Sequence, residues 1–296
     1  MKKFSIGYFA DGPWSHGTLN LLLSNSNIKV SFIVVRFKNP DLELIKLAKK
    51  NKINIKSHKN INSKNFMDWV KEYNCDLFVS MSFNQIFKKE LYNLPKFKSI
   101  NCHAGLLPFY RGRNILNWVL INNETHFGIT VHFIDSGIDT GDIILQKKYK
   151  ISINDDYGTL LNKSYSECPT LLYKAILSIQ NNTLKTIKQK DIHPEGFYCS
   201  KRIIGDEKLS WNQNSKDIFN FIRGISKPGP QARTYFNKNE VLINKSKLVK
   251  KARNYKGILG CVTLVKPKSF YVKTLDSFIE ITEWTNYEPN IGDRLE

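Results

Sequence analysis

The first half of the chain alternates short β-branched and aromatic runs with segments of helical spacing, and a chain patterned this way has few ways to fold. Phe4–Ala10 and Val30–Phe37 read as strands, Leu42–Lys50 as a helix, Asp76–Ser82 as a strand, and Ile100–His103 as the end of another. Strands separated by helices predict a mostly parallel sheet covered on its faces, an α/β, Rossmann-like architecture. Asn114–Asn122 reads as a helix, Phe127–Ile134 as a strand with a buried face, and Tyr157–Gln180 as a long helix closing the first domain. After a polar stretch from Asn181 to Asp191 the character changes. A short helix over Asp217–Arg223, turn signals at Lys227-Pro228-Gly229-Pro230 and strand-like runs at Val262–Val265, Phe270–Val272 and Phe278–Ile281 predict a smaller β-rich unit. The expected domains are residues 1–190 and 191–296. A chain of 296 residues, 41% of them apolar, can bury a core and carry such an appendage.

Several classes are excluded at this point. Asp11-Gly12-Pro13-Trp14-Ser15-His16-Gly17 stands where a Gly-x-Gly-x-x-Gly loop would follow the first strand, which argues against a dinucleotide cofactor. Met1-Lys2-Lys3 before Phe4–Ala10 imitates the start of a leader, but Asp11-Gly12-Pro13 ends the run without a cleavage pattern, so it reads as the first strand. No run approaches the roughly 20 apolar residues of a membrane span. Cys75, Cys102, Cys168, Cys199 and Cys261 are odd in number and lack paired zinc spacing, as expected of reduced thiols in a cytoplasmic protein. The formal charge of +19 reads as a compositional bias spread over solvated surfaces, with a polyanion partner as the competing explanation.

The chemistry concentrates in Ser99-Ile100-Asn101-Cys102-His103-Ala104-Gly105-Leu106-Leu107-Pro108, then Tyr110-Arg111-Gly112-Arg113, then Asp135-Ser136-Gly137-Ile138-Asp139-Thr140-Gly141-Asp142. At a strand end, Asn101 and His103 point to one side and Cys102 to the other. A neutral amide donor beside an imidazole suits acyl transfer to an amine. The amine sheds a proton as it attacks and the carbonyl oxygen gains charge. A carboxylate such as Asp139 can orient the imidazole and stabilise its protonated form. Asp135, Asp139 and Asp142 lack Asp-x-Asp-x-Asp-Gly spacing and Gln146 stands at the closing position, so no metal is expected. Asp139 also has a turn-forming reading, as do Asp142 and its neighbours. Arg111 and Arg113 suit phosphate or carboxylate oxygens, or hold the loop that shapes the site. Among the other histidines, His126 reads as a loop residue, His132 as an outward strand residue, and His58 and His193 as surface residues.

Asn-x-His with a Leu-Leu-Pro turn, Arg-Gly and a Gly-x-Asp-Thr-Gly-Asp loop resembles the folate-dependent formyltransferases. Tyr110-Arg111-Gly112-Arg113-Asn114 followed by Leu116-Asn117-Trp118-Val119-Leu120-Ile121-Asn122-Asn123-Glu124-Thr125 is most similar to the nucleotide-sugar N-formyltransferases. In the C-terminal part, Trp211, Arg223, Pro228, Pro230, Thr234 and Tyr235 match the family's opening of a barrel-like domain. The resemblance implies Asn101, His103 and Asp139 as catalytic residues. It implies N10-formyltetrahydrofolate as co-substrate, bordered by Ser82, Phe83, Asn84, Ile86, Asp135, Gly137 and Asp142. It places Trp14, Ser15, His16, Tyr110, Arg111 and Arg113 toward a nucleotide-linked amino sugar. Trp14, Ser15 and His16 have an equal alternative as a turn and helix cap. A homodimer and a place in surface glycan biosynthesis, lipopolysaccharide among the products, are further implications.

Methionyl-tRNA formyltransferase is the rival within the class. Against it, Arg113-Asn114-Ile115-Leu116-Asn117-Trp118 replaces the tRNA enzymes' Ala-Ala-Pro-Ile type of segment, and Ala10-Asp11-Gly12-Pro13-Trp14 replaces their Gly-Thr-Pro-x-Phe opening. Nucleic acid is therefore not the expected partner. A non-catalytic RNA-binding protein on the same scaffold would have no need of the Asn-His-Asp set.

Overall fold

The computed structural model describes residues 2–296. In chain order, β1 (Phe4–Ala10), α1 (Pro13–Ser24), β2 (Ile28–Val35), α2 (Leu42–Lys50), β3 (Asn54–Ser57), α3 (Lys64–Lys71), β4 (Leu77–Met81), α4 (Lys89–Tyr92) and β5 (Ser99–His103) build the expected alternation. Next come β6 (Arg111–Gly112), α5 (Ile115–Ile121), β7 (His126–Phe133), β8 (Ile143–Lys150), α6 (Tyr157–Gln180), α7 (Gln189–Ile192) and β9 (Tyr198–Cys199). The last part holds α8 (Ser215–Gly224), β10 (Ala232–Phe236), β11 (Asn239–Leu248), β12 (Val262–Lys266), β13 (Ser269–Lys273) and β14 (Phe278–Thr285).

Seven strands form one sheet in the order β3-β2-β1-β4-β5-β7-β8. β3, β2, β1, β4 and β5 run parallel, and β7 is antiparallel to β5. β1 and β4 are buried along their whole lengths, which is why they read as unbroken apolar runs. Phe9, Phe32, Phe66, Phe78 and Phe87 pack together on this sheet, each side chain contributing about 1.5–3 kcal/mol by leaving water. Gly7 is required there, because a Cβ would collide with the rings of Phe32 and Phe78. The strand order reverses between β1 and β4, and ligands of open α/β sheets bind in the crevice at such a point.

The C-terminal sheet is antiparallel throughout, in the order β10-β11-β14-β13-β12. Ile218 and Ile222 of α8 join Trp211, Val241, Ile243, Val262, Phe270, Val272, Ile279 and Ile281 in its core. Trp211 Nε1 donates to Thr234 Oγ1 at 2.9 Å, so the buried indole is satisfied. The expected α/β sheet and β-rich C-terminal unit are both present. By compactness, one unit comprises the residues up to Gly112 with Gly128–Tyr149 and Asn162–Tyr198, and the other comprises Arg113–Phe127, Lys150–Leu161 and Cys199–Glu296. No helix among the described residues is long and apolar enough to cross a membrane.

Candidate active site

The pairing of β5 with β7 sets the site. Asn101 lies opposite His132, and His103 lies opposite Thr130. Residues two apart share a face, so all four side chains project from one side of the sheet. Cys102 points the other way, its Sγ donating to the Cys168 carbonyl at 3.9 Å. This is the orientation expected from the strand period, and it separates the thiol from the amide and imidazole.

Asp139 closes over that face from the loop between β7 and β8. Its Oδ2 stands 3.6 Å from His103 Nδ1, and its Oδ1 stands 3.4 Å from His132 Nε2. Oδ2 also accepts the Gly112 backbone N–H at 2.9 Å. The residue has φ 54, a left-handed conformation that Asp tolerates in tight loops. Burial by itself pushes the Asp139 carboxyl up. The facing His103, the hydrogen bond and charge of His132 and the Gly112 N–H outweigh it and hold the group well below the usual carboxylate range.

The imidazole of His103 is 9% exposed and anchored at one end, with Nε2 2.7 Å from the Tyr110 carbonyl oxygen. A carbonyl only accepts, so Nε2 carries the hydrogen and Nδ1, on the Asp139 side, holds the lone pair of the neutral ring. Gly105 makes room for this geometry. A Cβ at that position would land on His103 Nε2 and the Tyr110 carbonyl. Thr130 secures the same turn, its Oγ1 donating to the Gly105 carbonyl at 2.7 Å and accepting from Gln146 Nε2 at 2.9 Å.

His132 corrects the expectation of an outward residue. It is 2% exposed and belongs to the site. Its Nδ1 donates to the Phe133 carbonyl at 2.8 Å, leaving Nε2 between Asn101 Nδ2 at 3.3 Å and Asp139 Oδ1. A neutral His132 accepts from the Asn101 amide, and a protonated one donates to Asp139. No sequence signal singles it out, because Gly128, Thr130 and His132 alternate with apolar Phe127, Ile129 and Val131. β7 is buried on both faces from Phe127 to His132, so that stretch has no outward side.

Gln189 was also missed, in a segment that reads as a polar connection. It is 4% exposed. Its Nε2 donates to the Asp139 and Gly141 carbonyls, both at 2.8 Å, while its Oε1 accepts from Arg111 Nε at 3.1 Å and Nη2 at 2.7 Å.

The remaining candidates fall into groups. Ser82, with φ 56, offers its carbonyl to Arg36 Nη2 at 2.8 Å, and Arg36 Nε pairs with Asp11 at 3.0 Å. Phe83 packs on Phe9 and Phe87, whereas Asn84 and Ile86 are exposed, Ile86 by 64%. Gln85 holds this loop from below, its Oε1 accepting from Ile61 N–H and its Nε2 donating to the His58 carbonyl. Asp135 is the turn former of its loop, Oδ1 accepting from Gly137 N–H at 3.1 Å and Thr140 Oγ1 at 2.5 Å. The Asp142 carbonyl accepts from the Phe133 N–H.

On the other side, Trp14 packs edge-on against Tyr165 and His16 pairs with Asp41 at 3.0 Å. Ser15 is fully buried with its Oγ donating to the Gly12 carbonyl, so its side chain serves α1 rather than a surface. Tyr110 is buried too, its ring against Phe197. Arg111 has its fork on Gln189 and lies over the Tyr198 ring, the loop-holding role of its two readings. Arg113 is exposed.

The arrangement is one neutral donor, two imidazoles and a carboxylate on one sheet face, a set suited to proton transfer during attack on a carbonyl. Comparison with known proteins agrees with that chemistry. A formyl transferase family model matches residues 12–176, and a formyl transferase C-terminal domain model matches residues 204–288. Among solved structures, WlaRD, a sugar 3N-formyl transferase crystallised with dTDP and 5-N-formyl-THF, aligns with a TM-score of 0.73 and 27% identity. That alignment covers 97% of this chain and 99% of WlaRD. The N-formyltransferase of Helicobacter canadensis, in complex with folinic acid and dTDP-3-aminofucose, aligns with a TM-score of 0.70 and 27% identity over 96% and 100% of the two chains. Among curated relatives, the methionyl-tRNA formyltransferase of Clostridium tetani is 35% identical over 189 residues, which is 64% of this chain and 60% of the relative. The bifunctional polymyxin resistance protein ArnA of Wigglesworthia glossinidia brevipalpis is 34% identical over 203 residues, 69% of this chain and 31% of that protein. The matched part is thus less than two thirds of either relative's length, 60% of one and 31% of the other.

Proposed function

The chain belongs to the formyl transferase family, and from that premise we propose that it moves a formyl group from N10-formyltetrahydrofolate to the amine of a nucleotide-linked amino sugar. The observation that carries the chemistry is the Asp139 carboxylate within 3.6 Å of two imidazoles, with Asn101 on the same face. The acceptor class rests on the near end-to-end agreement with two solved enzymes, one a sugar 3N-formyl transferase and the other bound to dTDP-3-aminofucose.

The residues fit such a donor. The loop after β4 offers exposed Ile86 and Asn84 beside the reversal of strand order, and the Asp135–Asp142 loop presents exposed Gly137 and Ile138. Ser82, Phe83, Asn84 and Ile86, with Asp135, Gly137 and Asp142, would hold the pterin mainly through backbone groups. When bound, N10-formyltetrahydrofolate supplies the formyl carbon and a leaving nitrogen that takes up one proton.

The chain's own groups manage the charges. His103 takes at Nδ1 the proton that the acceptor amine sheds as the new carbon–nitrogen bond forms. Asp139 stabilises the resulting imidazolium, and Tyr110 holds the ring by its other nitrogen. With His132 neutral, Asn101 gives one amide N–H to its Nε2 and has a second for the carbonyl oxygen as it gains negative charge. As the bond to N10 breaks, His103 returns the proton to that nitrogen, restoring its neutral form. Trp14, half-buried at the start of α1, is the acceptor-side candidate of this unit assigned to the sugar nucleotide, while His16 is engaged by Asp41.

A second reading, methionyl-tRNA formyltransferase, is supported by the 35% identity to the Clostridium tetani enzyme. A mass-spectrometric assay with N10-formyltetrahydrofolate and a panel of nucleotide-linked amino sugars, with charged initiator methionyl-tRNA in parallel, separates the two. The expected result is one added formyl group on a sugar, with His103→Ala reducing turnover on the order of 10² to 10⁴. Formylation of the tRNA alone would replace the sugar reading. Near-normal turnover in His103→Ala would remove His103 from the mechanism.

A further inference from the structure

Gln189 lies 50 residues along the chain from Asp139 and carries none of the chemistry, yet it is the side chain that ties down Asp139's own backbone. We propose that Gln189, anchored by Arg111, is a positioning residue that sets the Asp139 carboxylate against His103 and His132. The inference rests on the formyl-transfer reading for its consequence in catalysis and on geometry alone for its structural content.

A side-chain amide has two donors and two acceptor sites, and here both ends are used in opposite directions. The NH2 end spans two carbonyls, those of Asp139 and Gly141, which bracket the turn that carries the carboxylate. The carbonyl end accepts two N–H groups from the Arg111 guanidinium, a planar fork that fixes the amide's rotation and decides which end faces the loop. Arg111 in turn is held by its backbone N–H on the Phe197 carbonyl and by the Tyr198 ring. The next residue, Gly112, donates directly to Asp139 Oδ2. Arg111-Gly112 therefore reaches Asp139 twice, once by its own N–H and once through Gln189. At 4% exposure Gln189 exchanges no bond with water, so a lost donor is not replaced.

The groups facing the Asp139 carboxylate are His103 from β5, His132 from β7 and the Gly112 N–H of β6. The Arg111 charge lies behind Gln189, and Asp135 of the same loop is turned to Gly137 and Thr140. All three facing groups favour the ionised carboxylate while burial opposes it. A loop released by a few tenths of an ångström keeps the burial and weakens the partners, so the carboxyl titrates at higher pH.

The test is Gln189→Met, which keeps length and net charge but removes both donors to the Asp139 loop. Arg111→Lys is the second variant, keeping the charge but removing the planar fork that holds the Gln189 amide. The readout is carbon-13 NMR of labelled aspartate carboxyls in the free protein, with Asp139→Asn assigning the signal. In the wild type the Asp139 signal stays that of an ionised group down to the ordinary value of 3.8. In both variants it begins to titrate above that pH. In the acceptor assay Gln189→Met loses about tenfold or more in kcat with the KM of both substrates unchanged. An Asp139 titration identical to wild type in either folded variant overturns the proposal, as does a kcat loss accompanied by an unmoved titration. If the wild type formylates no acceptor, the functional reading fails while the titration still decides the positioning role.

Discussion

Gly105 shows how narrowly a single residue can constrain this site. A methyl group there would occupy the space of His103 Nε2 and the Tyr110 carbonyl, the two atoms whose hydrogen bond fixes the ring. Gly105→Ala is therefore expected to displace the imidazole and lower kcat by roughly 10², the cost of misplacing a reacting group by about 1 Å, with circular dichroism showing a retained fold. Asp139 gives a prediction in stability. Its carboxyl lies below its ordinary value in the folded chain, so the stabilisation is fully present above the ordinary value of 3.8 and fades as pH falls through the lower folded value. Urea melts of wild type and Asp139→Asn should differ most near neutral pH, with wild type the more stable, and converge in acid. A gap that widens in acid would reverse the sign and contradict the paired carboxylate. His132 makes the residue-scale lesson plain, because a histidine in a strand has no mark of its own and becomes a site residue only when Asn101 is set opposite it.

At the scale of elements, the antiparallel β5–β7 pair is the unit that assembles the site. Both strands, and the common face of Asn101 and His103, are legible in the sequence, because alternation within a strand is a local property. Their partners depend on register, which is a property of two strands. Thr130 locks that register to the turn after β5 through Gly105 and Gln146, with a weaker bond from the Leu107 N–H at 3.4 Å. Thr130→Val keeps the shape and removes the hydroxyl, leaving the buried Gly105 carbonyl without it. A loss of about 1–3 kcal/mol in denaturant unfolding is expected, together with lower kcat as Gly105 loosens. Unchanged stability would mean that Gln146 alone holds the turn. The first loop reads differently in the structure than in the sequence. Asp11–Gly17, which the sequence offers either as a substrate-facing loop or as a turn with a helix-capping Ser15, contains the start of α1, with Pro13 in its first turn and Gly12, not Ser15, at its N-cap with φ 71. A proline is favoured there because its missing N–H has no partner in a first turn anyway.

At the scale of the whole molecule, the charge of +19 is the property that bears on partners. A sugar nucleotide needs only a local field, whereas a tRNA would engage many phosphates and release many counterions. The sugar reading therefore expects no stable complex with tRNA at about 0.15 M salt, where exposed charges are screened beyond about 8 Å. A filter-binding titration checks it, and tight retention that falls steeply with added salt would favour the tRNA reading instead. The α/β and β-rich architecture and the grouping of Asn101 with His103 are written in local patterns of the chain. Strand and helix periods, turn residues and i, i+2 spacing act over a few residues and survive in a string of letters. That His132 stands opposite Asn101, that Asp139 reaches both imidazoles, and that Gln189 couples Arg111 to the Asp139 loop are set by long-range packing. Apart from the His132–Asp139 pair, those contacts join residues 31 to 78 positions apart. They form because burial removes water and forces polar groups to find partners across the fold, which no local pattern encodes.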